Sequence, residues 1–235
     1  MVLVLAALGW SIVFDPDFRQ AFQRIGPGLW ITLQATFFSF LIAIVIGLIA
    51  GVGRLSHNAL ARNVATFYIE FVRGVPILVI LLVTAFVLVP NLLDPLSIPN
   101  SAVSVLWRGI LSLSFFYGAY IAEVFRAGIE SVDTGQMEAA RSQGMTQRQA
   151  MRYIILPQAV RNILPALGND FISMLKDSSL LSVLAVREIT YQGRIYVGST
   201  FRFRETYLVL TVLYLAMTLV LSLFLRWNER RLSSG

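Results

Sequence analysis

Long apolar stretches, each able to cross a bilayer, recur along this chain. Residues 29–50 and 206–225 contain no charged side chain, and the stretch at residues 74–90 extends backwards through residues 66–73. A helix of about 20 apolar residues crosses a membrane because its own hydrogen bonds satisfy its backbone in lipid. These three stretches are therefore predicted to be transmembrane helices.

Two further stretches, residues 101–125 and residues 160–186, mix apolar residues with charged ones. A charged side chain that faces lipid is costly, so these helices are predicted to face protein or a water-filled cavity. Such an arrangement is typical of a transport path. The charges in the interior of the two stretches belong to Arg108, Glu123, Asp170, Lys176 and Asp177.

The five stretches predict an all-α membrane protein, a bundle of five core transmembrane helices. Residues 1–14 are apolar but too short for a full span and lack the basic start of a signal peptide, so a short sixth helix stays open. No Pro/Gly/Ser-rich linker interrupts the series, which favours one domain. The predicted divisions are an N-terminal segment with an external linker (1–25), a membrane domain (26–231) and a tail (232–235).

Composition agrees with the membrane prediction and excludes several functions. The chain has 57% hydrophobic and 14% charged residues and a mean hydropathy of +0.72, too apolar for a soluble domain. Its net charge of +6 comes from basic residues scattered between apolar segments, which argues against nucleic acid. Without cysteine, and with His57 as the single histidine, no catalytic or metal-ligand cluster is predicted. The chain is therefore predicted not to be an enzyme.

The polar loop at residues 131–159 separates the third and fourth predicted spans. With the start of the first span outside, more arginines fall inside than outside, which places this loop in the cytoplasm. Asp133 and Gln136 have the spacing of a capping box, so a short helix is predicted to begin there and to end at Gly144.

A second short helix is predicted in the same loop. Thr146 and Gln149 repeat the capping-box spacing, and Pro157 is expected to end the helix after Leu156 and to turn the chain towards the fourth span. Small residues at 139 and 140 permit close approach by another surface, while Glu138 and Arg141 supply charged hydrogen bonds. The pattern predicts a compact loop suited to rigid docking.

The loop resembles the EAA motif of ABC importer permeases. The sequence Glu138-Ala139-Ala140 is followed by Gly144 and then by Ile154-x-Leu156-Pro157, which matches the anchor positions of that motif. The flanking sequences YIAEVFRAGIESVDTGQMEAARSQGMT and LPALGNDFISMLKDSSLLSV resemble the polar amino-acid branch, which includes histidine, arginine, glutamine and glutamate importers. The resemblance spans roughly residues 26–231.

The resemblance implies a type I ABC importer permease in the bacterial cytoplasmic (inner) membrane, crossing it several times. The loop would then be a coupling helix that sits in a cleft of an ATPase subunit. The implied coupling residues are Glu138, Ala139, Ala140, Arg141, Gly144, Ile154, Leu156 and Pro157. Because the chain has no GxxxxGK[ST] phosphate loop, ATP and Mg are assigned to a partner. The implied partners are two ATPase subunits, a second permease subunit and an extracytoplasmic substrate-binding protein, with a polar amino acid as substrate.

Candidate substrate ligands lie in the fourth predicted span. Asn169, Asp170 and Ser173 are spaced so that their polar groups occupy adjoining helix faces. Asp170 is expected to bind the ammonium group or cationic side chain of an amino acid, with Asn169 adding neutral hydrogen bonds. The alternative is that Asp170 pairs with an arginine of a neighbouring helix and serves packing.

Two candidates on other helices are weighed against simple ion pairs. Glu123 is a candidate ligand, but an internal pair with Arg126 is ranked above binding. Arg73 is expected either to meet a substrate carboxylate or to pair with Glu70. The sequence at residues 74–76 also predicts a kink in the second span.

A gate is predicted where the fourth span changes from mixed to purely apolar sequence. The helix is expected to be interrupted at Lys176, Asp177, Ser178 and Ser179, with an ion pair at a helix break as the alternative. The following loop, residues 187–204, mixes aromatic residues with arginines. It is expected to lie outside, as an interface anchor or as a docking site for the binding protein.

Two other classes of function are kept beside the importer. An ion-coupled secondary carrier would also place charges within helices, although it would usually need more spans or an internal repeat. A membrane anchor subunit without a path of its own is the second alternative.

Overall fold

The computed structural model describes residues 14–233, and the side chains of residues 14–227. The apolar segment at residues 1–14 therefore lies outside the described residues apart from Phe14. The α-helices are α1 (Pro16–Ile25), α2 (Gly28–Arg54), α3 (Ala59–Gly74), α4 (Ile77–Val83), α5 (Val89–Leu93), α6 (Val105–Glu130), α7 (Thr134–Ser142), α8 (Gln147–Ala150), α9 (Leu156–Asp177), α10 (Ile189–Thr200) and α11 (Phe203–Ser233).

Short segments of other helix types connect or interrupt these α-helices. Four stretches of the described chain are long and apolar enough to cross a membrane, namely Gly28–Arg54, Ile77–Leu96, Val105–Glu130 and Phe203–Trp227. Helix α9, the fourth predicted span, has 22 residues but carries charged side chains. The all-helical membrane fold is thus confirmed, while the count of five spans stays a prediction. The connecting segments are π-helical at Thr84–Leu88 and Met151–Ile155, and 3-10 helical at Asp94–Leu96, Asn100–Ala102 and Ser178–Leu184.

Helices α2 and α6 form the central pair of the bundle. They approach closely because glycines lie at the contact: a Cβ atom added to Gly47 would lie 2.6 Å from Cγ2 of Ile121. Leu81, Leu113 and Met174 are buried in the core cluster beside this pair. The core therefore joins the second predicted span and α9 to the central helices.

Two predicted helix interruptions are confirmed. Helix α3 ends at Gly74 and α4 begins after Pro76, as the kink prediction requires. Helix α9 ends at Asp177, where the chain continues as a 3-10 helix to Leu184 and then enters the left-handed conformation at Ala185 (φ 62°).

The prediction of a loop at residues 187–204 is wrong, because most of this segment forms helix α10. The Glu188 side chain begins the helix by accepting hydrogen bonds from the N–H groups of Thr190 (2.8 Å) and Tyr191 (2.7 Å). Ile189 and Tyr196 are buried in a cluster with residues of α1 and α11. Tertiary packing on one face therefore stabilises a helix whose polar and aromatic residues conceal its periodicity.

Candidate functional site

The predicted coupling loop begins with a capped helix, α7. The Asp133 carboxylate accepts a hydrogen bond from the N–H of Gly135 at 2.6 Å. The capping box predicted with Gln136 is incomplete, because the Gln136 side-chain oxygen instead accepts from Nε2 of Gln158 at 3.4 Å. The predicted stop is confirmed: the chain leaves the helix through Gly144 at φ +82°, a conformation that glycine adopts without steric cost.

The second half of the loop is more continuous than predicted. Thr146 and Gln149 form a complete capping box at the start of α8. The predicted break at Pro157 is wrong, since α8 passes through the π-helical segment Met151–Ile155 directly into α9. Pro157 lies in the first turn of α9, where a missing N–H is tolerated. The loop is thereby joined to the membrane helix without an irregular linker.

The loop presents one face outwards and buries the other. Glu138, Ala139, Arg141 and Gly144 are exposed, as are Leu156 and Pro157, whereas Ala140 is buried and Ile154 is half-buried. Beneath the loop, Val132 and Ile155 pack with Ala159 and Ile163 of α9 in a buried cluster. A charged, small-residue face is therefore held on a packed base. Ala140 supports that base rather than the outer face.

A second set of predicted residues meets within the membrane bundle. The Tyr117 hydroxyl of α6 donates to the Asp177 carboxylate of α9 at 2.7 Å. Tyr117 and Tyr120 have ring centroids 6.3 Å apart, and the Arg73 guanidinium lies 5.7 Å from the centroid of Tyr120. These contacts bring α3, α6 and α9 together around polar groups. Sequence reasoning missed Tyr117, although its i,i+3 spacing from Tyr120 predicts that both rings lie on one face of a helix.

Asp170 lies on the same side of α9 as Asp177, two turns away. It is half-buried, and its Oδ2 atom is buried without a hydrogen-bond partner among the described residues. The predicted alternative, a pair with an arginine of a neighbouring helix, is not found in the described part of the chain. Ser173 is half-buried between the two carboxylates, whereas Asn169 is exposed on the adjoining face. Asp170 therefore keeps an unfilled acceptor.

Glu123 belongs to an ion-pair cluster near the end of α6 that leads into α7. It accepts from Nη1 of Arg54 at 3.0 Å and from Arg126, and Arg54 also contacts Glu70 at 3.1 Å. The internal pair with Arg126 is confirmed. The pairing of Arg73 with Glu70 is wrong, because Arg54 of α2 reaches Glu70 across the helix interface. Glu123 is thus occupied by two guanidinium groups.

The predicted gate residues lie at the end of α9. Ser178 is buried, and its hydroxyl donates to the carbonyl of Leu175 at 2.7 Å. Lys176 is exposed and makes no ion pair with any described residue, while Ser179 is half-buried. The alternative of a Lys176–Asp177 ion pair is therefore wrong, since Asp177 is held by a tyrosine instead. The gating role stays a prediction.

Glu188, which sequence reasoning missed, is fully buried beside Gly28 of α2. Besides the two N–H groups that begin α10, it accepts from the Tyr214 hydroxyl of α11 at 3.0 Å. Burial raises the pKa of this carboxyl above its usual value, against the opposing effect of the hydrogen bonds. The sequence feature that could have identified Glu188 is an acidic residue immediately before a helix.

A polar cavity of about 550 Å³ opens between α1 and α10. Arg202, at the start of α11, holds α1 in place by contacting Asp17 at 2.7 Å and Gln20 at 2.9 Å. Elsewhere in residues 14–233, no cluster of acidic and histidine side chains is arranged to hold a metal ion. The polar residues that line the cavity are Gln20, Gln23, Arg24, Gln192, Tyr196, Ser199 and Thr200.

Comparison with known proteins gives consistent similarities over nearly the whole chain. The protein named "Probable amino-acid permease protein YxeN" of Bacillus subtilis (strain 168) is 39% identical over 214 residues, which cover 91% of this chain and 93% of the relative. "Glutamine transport system permease protein GlnP" of Escherichia coli (strain K12) is 36% identical over 223 residues, covering 95% and 97%.

Solved structures show the same fold. A chain described as "Crystal structure of an amino acid ABC transporter with histidines" is 41% identical, with a TM-score of 0.80, and the match covers 89% of this chain and 94% of that one. A family model described as "Binding-protein-dependent transport system inner membrane component" matches residues 43–234. The chain therefore belongs to the family of inner membrane components of binding-protein-dependent transport systems.

Proposed function

We propose that this chain is the transmembrane permease subunit of an ATP-driven ABC importer for polar amino acids. The observation that carries the proposal is the capped, exposed loop of α7 and α8, whose sequence resembles the EAA motif. The names of the relatives YxeN and GlnP, and of the amino acid transporter with histidines, support an amino acid as substrate.

The coupling step follows from the continuity of the loop with α9. An ATPase subunit that binds Glu138, Ala139 and Arg141 would hold ATP and Mg itself and push on the exposed face of α7. Since α8, the π-helical segment and α9 form one helical run, that motion reaches residues 156–177 without an intervening flexible linker. The transporter would contain two ATPase subunits and a second permease subunit.

The substrate path is assigned to the polar side of α9. The free acceptor of Asp170 suits an ammonium group or a cationic side chain, and Arg73, at the broken end of α3, suits a carboxylate. Asn169 and Ser173 add neutral hydrogen bonds. Closure would act through residues 176–179, where the α-helix changes to a 3-10 helix.

The external cavity between α1 and α10 is proposed as part of the docking surface for an extracytoplasmic binding protein. Its amide, hydroxyl and guanidinium groups suit an acidic, hydrogen-bonding partner. Arg194 of α10 reaches the carbonyl of Ser182 at 3.4 Å, which connects this surface to the 3-10 segment after α9.

Uptake by the reconstituted transporter tests the function. The chain is co-expressed with its ATPase and second permease, placed in vesicles and supplied with binding protein and labelled glutamine or histidine. Uptake is expected to require ATP on the side of the vesicle membrane where the ATPase subunits lie. It is expected to fall at least about tenfold in Glu138→Arg, because charge reversal breaks the proposed contact with the ATPase subunit. Arg148→Glu, exposed in the same loop, is the matched control.

Two outcomes would favour the alternatives. Uptake driven by an ion gradient without an ATPase would indicate a secondary carrier. An ATPase complex that assembles on this chain and yet never moves solute would indicate an anchor subunit.

A further inference from the structure

An apolar cleft of about 680 Å³ opens between α2 and α3. It lies towards the end of the bundle that carries α7, because Arg54, at the end of α2, contacts Glu123 near the end of α6. The cleft is lined mainly by aliphatic side chains of both helices, with Tyr68 and Phe115 among its lining residues. With the loop of α7 in the cytoplasm, as the proposed function requires, the cleft faces the cytoplasmic half of the membrane.

Two polar oxygens in the cleft wall already have hydrogen-bond partners. The Tyr68 hydroxyl donates to the carbonyl of Phe115 at 2.6 Å. The Asn58 side chain accepts from the N–H groups of Leu60 and Ala61 at the start of α3. Since most of the lining is aliphatic or aromatic, hydrocarbon is the occupant that fits the interior of the cleft.

The segment that joins α2 to α3 borders the cleft, since Asn58, Leu60 and Ala61 line it, and this segment is basic. The segment at residues 54–62 contains Arg54, His57 and Arg62 and no acidic residue. Arg54 is engaged in the ion-pair cluster, whereas Arg62 is exposed and has no ion-pair partner in the described part of the chain. Cations at the cytoplasmic membrane surface attract anionic lipid headgroups.

We propose that the cleft binds one anionic phospholipid of the cytoplasmic leaflet, with an acyl chain between α2 and α3 and the phosphate beside Arg62. A second copy of this chain fits less well. In a two-fold pair that used the same surface, the cationic segments at residues 54–62 would face each other. The lipid would brace α3, whose other end carries Arg73.

Native mass spectrometry of the complete transporter tests this site. The complex is delipidated in detergent and titrated with phosphatidylglycerol or with phosphatidylcholine. The unmodified protein is expected to bind phosphatidylglycerol more tightly. Arg62→Gln is expected to weaken phosphatidylglycerol binding about fivefold, the effect of one cation near an anionic headgroup, and to leave phosphatidylcholine unchanged. Arg148→Gln, in the coupling loop, is the control for charge.

A second variant tests the cleft itself. Val64→Trp places an indole in the cleft and is expected to remove this lipid site, whereas Val220→Trp on α11 is not. The two valines are similarly exposed, at 60% and 67%, so the pair controls for bulk and exposure. Melting temperatures of all variants identify any loss of folding, and Arg62→Gln carries the test if Val64→Trp fails to fold.

Three results would overturn the proposal. Equal affinity for phosphatidylglycerol and phosphatidylcholine would show that the anionic headgroup does not contribute to binding. Unchanged phosphatidylglycerol affinity in Arg62→Gln and Val64→Trp would place the lipid elsewhere. Binding to the isolated chain that is lost in the complete transporter would show that the second subunit covers the cleft. None of these results depends on transport, so the importer proposal is tested separately.

Discussion

Single residues differ in whether the structure gives their carboxylates a partner. Asp177 is bound by a tyrosine hydroxyl, Glu123 by two arginines and Glu188 by backbone and side-chain donors. Asp170 keeps a buried oxygen without a hydrogen bond among the described residues. Because a buried acceptor without a donor is costly, Asp170 is the carboxylate best placed to gain one from a substrate.

Asp170→Asn tests that assignment. Losing a charge-assisted hydrogen bond to an ammonium group is expected to raise the KM for uptake about tenfold, with assembly unchanged. Ser173→Ala, on the same face of α9, is the control and is expected to have a smaller effect. The measurement is uptake against substrate concentration in vesicles. Unchanged affinity and specificity in Asp170→Asn would rule out the binding role.

Gly128 provides a residue-scale test of packing between α6 and α9. A Cβ atom at this position would overlap the Ile163 side chain. Gly128→Ala is therefore expected to destabilise the protein by about 1–3 kcal/mol through overpacking. Gly198→Ala in α10 is the control, since its Cβ would meet nothing within 4 Å.

Unfolding in detergent, monitored by tryptophan fluorescence, gives the free energies of unfolding of the Gly128→Ala and Gly198→Ala variants. The control substitution is expected to leave stability unchanged or to raise it by about 0.5–1 kcal/mol, because alanine lowers the entropy cost of the helix. Equal stability of the two variants would mean that α9 can move away from α6 without loss.

At the scale of elements, side chains at helix starts decide where the short helices lie. Asp133 begins α7, Thr146 begins α8 and Glu188 begins α10 by accepting backbone hydrogen bonds. Only the last of these is fully buried, and only it also binds a side chain of a neighbouring helix, Tyr214 of α11. Helix α10 therefore depends on a cap that doubles as a tertiary contact.

Glu188→Ala is expected to destabilise the protein by about 2–3 kcal/mol, because it removes the cap and leaves the Tyr214 hydroxyl buried without this acceptor. Glu188→Gln is expected to lose less, since it keeps one carbonyl acceptor in a site where burial already raises the pKa and disfavours the charge. Thermal unfolding of both variants gives the comparison. A larger loss in the glutamine variant would show that the ionised carboxylate is required.

For the whole molecule, an ion-pair cluster joins three helices at the end of the bundle that carries α7. Arg54 of α2 contacts Glu70 of α3 and Glu123 of α6, and Arg126 contacts both Glu123 and Glu130. The cluster lies next to α7 in sequence and beside the apolar cleft between α2 and α3. It is therefore placed to hold these helices as one body, as the proposed coupling through the loop requires.

Arg54→Met tests this cross-helix link. Its side chain is 23% exposed, so loss of both contacts is expected to cost about 1–2 kcal/mol rather than the larger value of a fully buried pair. Glu130→Gln removes only a more exposed pair within α6 and is expected to cost about 0.3–0.5 kcal/mol. Chemical unfolding in detergent measures both. Equal costs would show that the link between helices adds nothing.

The sequence by itself determined the membrane class, the polar loop between the third and fourth spans and the signals at most helix ends. The length of the apolar stretches is sufficient to predict the membrane class, because lipid offers no hydrogen-bond partner to the backbone. The spacing of neighbouring residues is sufficient to predict helix ends, because a cap acts within one helical turn, as the pair Thr146 and Gln149 shows. Gly74 and Gly144 likewise indicated the ends of α3 and α7, because glycine favours helix ends through its own backbone freedom.

The tertiary structure decided which distant groups meet. Arg54 rather than Arg73 reaches Glu70, and Tyr117 rather than Lys176 reaches Asp177, because the central packing of α2 and α6 sets the neighbours. The same packing turned residues 189–200 into a helix and left Asp170 unpaired. Such pairings depend on crossing helices far apart in sequence, so spacing along one helix does not contain them.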